Sequence, residues 1–67
     1  MKSKGKQTLI VYQVETSRGV HENDAGSLKS ATALCKDLVA RGCAGVQLCR
    51  CDRSGVSNYY EVIKVFN

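Results

Sequence analysis

The residues of this 67-residue chain with chemistry to offer are four cysteines, one histidine and six carboxylates. Cys35, Cys43, Cys49 and Cys51 invite a metal reading first. Their spacing opposes it. There is no C-x₂-C knuckle, and His21 lies far from all four. Cys49 and Cys51, two apart on an extended segment, point the same way but stand about 6–7 Å apart, too far for tetrahedral thiolate ligation. Cys35 falls on the apolar stripe of a helical segment, where a thiol acts as a small hydrophobe. A reducing cytosol disfavours disulfides. No metal and no cofactor are expected.

His21 supplies the remaining catalytic candidate. If a three-residue loop joins the first two strands, His21 lies across from Glu15, which would raise its pKa. A cross-strand surface pair accounts for that placement without catalysis, since no nucleophile, oxyanion site or enclosed pocket accompanies it. Gly26 and Gly42 are isolated and form no phosphate cradle. The chain reads as non-catalytic, with no small-molecule substrate.

The elements that hold these residues are legible from their periodicities. Thr8 to Thr16 is β-branched and aromatic and predicts a strand. Ser17-Arg18-Gly19 predicts a turn, with Gly19 in the left-handed position, and Val20 to Asn23 a short return strand. Ser27 is suited to cap a helix. Leu28, Ala31, Leu34, Cys35 and Leu38 then recur at helical spacing, and Gly42 predicts the stop. The helix is expected over about 27–41. Ala44 to Asp52 predicts a third strand. Arg53-Ser54-Gly55 repeats the first turn's chemistry, and Val56 to Phe66 predicts the fourth strand. The fold class is α+β, ββαββ: a four-stranded, mainly antiparallel sheet with one helix packed on one face. Residues 1–7 read as a flexible basic arm and 8–67 as one domain. No apolar stretch reaches the roughly 20 residues of a membrane span, and a cytoplasmic location is expected.

Register assigns faces. With Thr16 opposite Val20 and Asp52 opposite Val56, the residues Ile10, Tyr12, Val14, Val20, Val46, Leu48, Tyr60, Val62 and Phe66 face the helix. The opposite face then carries Leu9, Val11, Gln13, Glu15, His21, Asn23, Gln47, Cys49, Cys51, Tyr59, Glu61, Ile63 and Val65. One helix covers one face, so Leu9, Val11, Tyr59, Ile63 and Val65 are expected as an exposed apolar patch for a protein partner or a second copy of the chain.

Ten Lys and Arg against six Asp and Glu give a net charge of +4. The open face has one aromatic, Tyr59, and no Lys or Arg, which argues against stacking of single-stranded nucleic acid on the sheet. Lys4, Lys6, Arg18, Lys29, Lys36 and Arg53, on arm, hairpin tips and helix, are the candidates for an alternative nucleic-acid surface. The leading expectation is a small protein-binding regulator or inhibitor of a larger partner. Regulators of this size are common among phages and mobile elements, and that likeness is one of size, not of motif.

Overall fold

A computed structural model describes residues 8–67. The arm expected at 1–7, with Lys4 and Lys6, lies outside the described residues. Strand β1 spans Ile10–Thr16, β2 Gly19–Glu22, helix α1 Leu28–Ala40, β3 Gln47–Asp52 and β4 Tyr60–Val65. The order is ββαββ, and the four strands form one antiparallel sheet in the order β2-β1-β3-β4. The α+β class read from the sequence is the fold observed.

The helix is bounded as its sequence predicts. The Ser27 hydroxyl accepts the Ser30 N–H at 3.1 Å, satisfying a first-turn donor. At the other end Gly42 takes φ +89°. Its N–H reaches Val39 O at 3.0 Å, and the Cys43 N–H reaches Leu38 O at 3.0 Å. That paired closure needs a left-handed residue, which glycine adopts without Cβ strain. Three residues past Gly42, Gly45 (φ +67°) passes so close to the β1–β2 turn that a Cβ would stand 3.0 Å from the Ser17 backbone nitrogen.

The core lies where α1 crosses the central strands. Val14, Ala31, Cys35, Leu38, Val46 and Leu48 form it, with Tyr12, Leu34, Val39, Cys43 and Phe66 against its rim. A helix of 13 residues is only about 20 Å long and packs on β1 and β3. Two residues assigned to the covered side are therefore exposed, Ile10 at the β1 end and Leu28 in the first helical turn. Val20, also assigned there, pairs with Glu15 and so lies exposed on the uncovered face.

Both hairpins depart from the expected register. In the first, Thr16 pairs with Gly19, Glu15 with Val20 and Val14 with Glu22. Gly19 has the predicted positive φ, but His21 is the extra residue of a bulge and does not oppose Glu15. In the second, Asp52 does not face Val56. The chain runs through a loop from Arg53 to Tyr59, and Cys51 pairs with Tyr60. Asp52 builds that loop. Its Oδ1 accepts the Leu9 N–H (2.9 Å), the Ser54 N–H (2.8 Å) and the Ser54 hydroxyl (2.6 Å), while Oδ2 accepts the Ser57 N–H (3.0 Å) and hydroxyl (2.9 Å). Those donors hold the Asp52 carboxyl far below the ordinary carboxylate range, Ser54 contributing most.

The longer loop reverses the faces of β4. Tyr60 pairs with Cys51 and Val62 with Cys49, so both lie on the open face and not beneath the helix. Glu61 pairs with Arg50 and so shares its side of the sheet, opposite to the expected one. A second bulge follows. Cys49 opposes Val62 and Leu48 opposes Lys64, leaving Ile63 as the extra residue. That insertion returns Val65, paired with Gln47, to the open face as predicted.

Candidate interaction surface

Among the described residues no helix covers the second face of the sheet, yet part of it is buried. Cys49 is fully buried, and Val11 and Cys51 nearly so. The cover is made by side chains of the sheet itself. β1 supplies Gln13 and Glu15, β3 supplies Gln47, and β4 supplies Tyr60. The pairings Gln13 with Cys49, Glu15 with Gln47 and Cys51 with Tyr60 set them side by side. Glu15 is the centre. Its Oε2 accepts Gln13 Nε2 at 2.6 Å and the Tyr60 hydroxyl at 2.7 Å, and its Oε1 accepts Gln47 Nε2 at 3.1 Å. The Tyr60 oxygen lies 3.2 Å from Cys49 Sγ. With the phenolic proton committed to Glu15, the Cys49 thiol donates to that oxygen. Cys51 Sγ donates to Gln13 Oε1 at 3.7 Å.

The electrostatics follow from these contacts. Tyr60, and then Gln13 and Gln47, lower the Glu15 pKa against the opposing effect of burial. Burial raises the Cys49 pKa, and the Glu15 charge adds to it. The Tyr60 phenol is raised by Cys49 first and by Glu15 next. The cluster holds an ionised carboxylate with its donors, a protonated phenol and a protonated thiol. Such a set has neither an activated nucleophile nor a free base, and its bonds fix the side chains in place.

Beside this lid lies β4, the strand at one edge of the sheet. Every residue of β4 is exposed. Tyr60, Val62, Ile63 and Val65 stand there as large apolar side chains, Val65 with 60% of its surface open. Leu9, before β1, is also exposed.

The five residues predicted for protein binding are thus divided. Ile63 and Val65 share the β4 edge. Val11 is buried at 7% exposure and offers no contact surface. Tyr59 belongs to the loop end with Arg50 and Glu61: Arg50 Nε donates to the Tyr59 hydroxyl at 3.0 Å, Arg50 Nη2 reaches Glu61 Oε1 at 3.0 Å, and the Tyr59 hydroxyl also donates to Glu61. The sequence reading missed Tyr60 and Val62. Ser57 and Asn58 carried the signal, since these turn formers help extend the loop four residues past Gly55, through Tyr59.

The basic candidates do not converge either. Arg18 occupies the β1–β2 turn and Arg53 the β3–β4 loop, and because β1 and β3 are antiparallel these lie at opposite ends of the sheet. Arg53 is tied to Asn23 O at 3.2 Å. Lys29 and Lys36 are exposed on α1, seven residues apart and so on one helical face. His21 lines a groove with Arg18 and Arg41 at the first turn, and Arg41 is paired with Asp37 at 2.9 Å. Among the described residues no three His, Cys, Asp or Glu side chains converge as metal ligands, and all four cysteines are free thiols. No helix of the described residues is long and apolar enough to cross a membrane. Compared with family models, with curated proteins and with solved structures, the chain matches none.

Proposed function

We propose that this chain is a small non-catalytic protein-binding module, a regulator or inhibitor of a larger partner, and that its working surface is β4 with the adjoining uncovered face. The observation that carries this reading is the exposed apolar row Tyr60, Val62, Ile63 and Val65 on an edge strand of the sheet. Edge strands present unpaired amides and carbonyls, and a partner strand or an apolar patch completes them. The lid around Glu15 supports the same reading. It presents a fixed polar surface beside the apolar row, the combination of apolar centre and polar surround found in recognition patches. The opposite edge, β2, has four residues and a bulge and is blunted as a docking strand.

The alternative, a nucleic-acid surface, draws among the described residues on Lys29, Lys36, Arg18 and Arg53. Its candidates are spread over the helix and both ends of the sheet, where a phosphate backbone would have to be tracked around the domain. The protein reading is the better supported one.

The test is affinity capture from the source cells with the wild-type chain and with Val62→Glu/Val65→Glu. Both side chains are exposed, so the variant is expected to melt within about 1 kcal/mol of the wild type. A protein retained in stoichiometric amount by the wild type and lost with the variant is the expected result. The same proteins retained by both would refute the surface.

A further inference from the structure

Resting on that reading of β4, we propose that the edge is completed by a second copy of this chain, strand to antiparallel strand, about a two-fold axis between Val62 and Ile63. The backbone sets up the pairing. At one end of the β3–β4 ladder the Asp52 N–H bonds to Tyr59 O, and at the other the Phe66 N–H bonds to Val46 O. Alternation from both ends turns the amides of Tyr60, Val62 and Val65 away from β3, and leaves those of Glu61 and Lys64 turned toward it. The count meets itself only because Ile63 is inserted between.

The bulge gives the strand a symmetry that a regular strand lacks. Without it, an axis between two adjacent residues would oppose side chains from different faces. With it, Tyr60 and Val65 both lie on the open face and both turn their amides outward. Glu61 and Lys64 both lie on the helix side. In the two-fold pairing Tyr60 therefore meets Val65 of the second copy as a hydrogen-bonded pair, and Glu61 meets Lys64 as a close non-bonded pair. Val62 meets Ile63 at the axis. The two Glu–Lys contacts are the argument for this register. A pairing centred on Glu61 or on Lys64 would oppose like charges, and one centred on Val62 or Ile63 would place each charge against an apolar residue.

The product is one eight-stranded sheet with both helices on the same side. The two uncovered faces, each with its Glu15 lid, become a single continuous surface for the larger partner.

Sedimentation from about 1 to 500 µM measures the association. The wild-type chain is expected to dimerise. Lys64→Glu sets two acidic pairs across the axis, and Glu61→Lys sets two basic ones. Each is expected to weaken the dimer about tenfold or more. Mixed in equal amounts, the two variants regain both opposite-charge contacts and are expected to form a heterodimer tighter than either homodimer. Amide exchange at Tyr60 and Val65 should slow with concentration in the wild type and in the mixture. A wild-type chain that stays monomeric, single variants that dimerise like the wild type, or a mixture that does not recover would each overturn the proposal. A monomer that still loses its captured partner through Val62→Glu/Val65→Glu would overturn the dimer and leave the protein-binding reading standing. Loss of both would remove both.

Discussion

The two faces of this sheet are buried by different means. On one, a helix lays Ala31, Cys35 and Leu38 over Val14, Val46 and Leu48. On the other, no element of the described residues lies above, and Val11, Cys49 and Cys51 are buried among the long polar side chains beside them. The first face is held by the removal of apolar area from water and by close packing. The second is held by directional bonds converging on the Glu15 carboxylate, each worth less in net stability than a buried aliphatic side chain. A chain with one helix can bury only one face with aliphatics. The second layer here costs no additional element, because Gln13, Gln47 and Tyr60 reach across strands that already pair.

The largest effect belongs to the helix side. Leu48 is almost fully buried in the core, and Leu48→Ala is expected to destabilise by about 3 kcal/mol through lost transfer energy and a residual cavity. In a domain this small that is much of the total. A loss near that of an exposed leucine in thermal or urea unfolding would mean that the helix does not pack as described.

The cysteines compare the faces directly. Cys35 reports on the helix side, Cys49 on the open side, and Cys43 is only half-buried. Burial raises the pKa of both Cys35 and Cys49, so little thiolate is available until the structure opens. Alkylation under native conditions should modify Cys43 first, with Cys35 and Cys49 slower by roughly a hundredfold. If Cys49 reacts at the Cys43 rate, the lid opens independently of the core and the open face is the less stable unit.

What the sequence disclosed divides along the same line. The helix, its Ser27 cap, its Gly42 stop and the fold order follow from local chemistry: an apolar period, a hydroxyl at the N-terminus, a glycine past the end. The inward set of β1 and β3 follows too, since Tyr12, Val14, Val46 and Leu48 alternate without interruption. β4 was not legible in the same way. Its face depends on where the loop after Asp52 ends, and Gly55 offered an early stop that the loop overrides, with Asp52 accepting the amides and hydroxyls of both Ser54 and Ser57. A bulge then inserts Ile63, and no alternation in Tyr60-Glu61-Val62-Ile63-Lys64-Val65 marks which residue is the extra one. Ile63 and Val65 are exposed, and Gln13, Glu15, Gln47, Cys49 and Cys51 lie on the uncovered face, where their alternation places them. That those five residues interact was hidden, because the interaction needs Tyr60 on their side.

The smallest effect isolates the carboxylate at the centre of the lid. Hydrogen bonds from Tyr60, Gln13 and Gln47 set the Glu15 pKa below its ordinary value in the folded chain, while the unfolded chain titrates near 4.3. The folded state then binds fewer protons than the unfolded state across that interval. The stability Glu15 contributes is present above about pH 4 and is lost as the pH falls toward the folded-state value. Asp52, also lowered, adds an acid limb of the same sign at still lower pH. Glu15→Gln keeps an acceptor for Tyr60 but removes the titration. Its melting temperature should lie below that of the wild type at pH 7, and the gap should narrow as the pH falls below about 5. A gap that stays constant with pH would show that Glu15 acts by shape alone. The lid would then be a packing layer like the one beneath the helix, and the contrast between the two faces would fall.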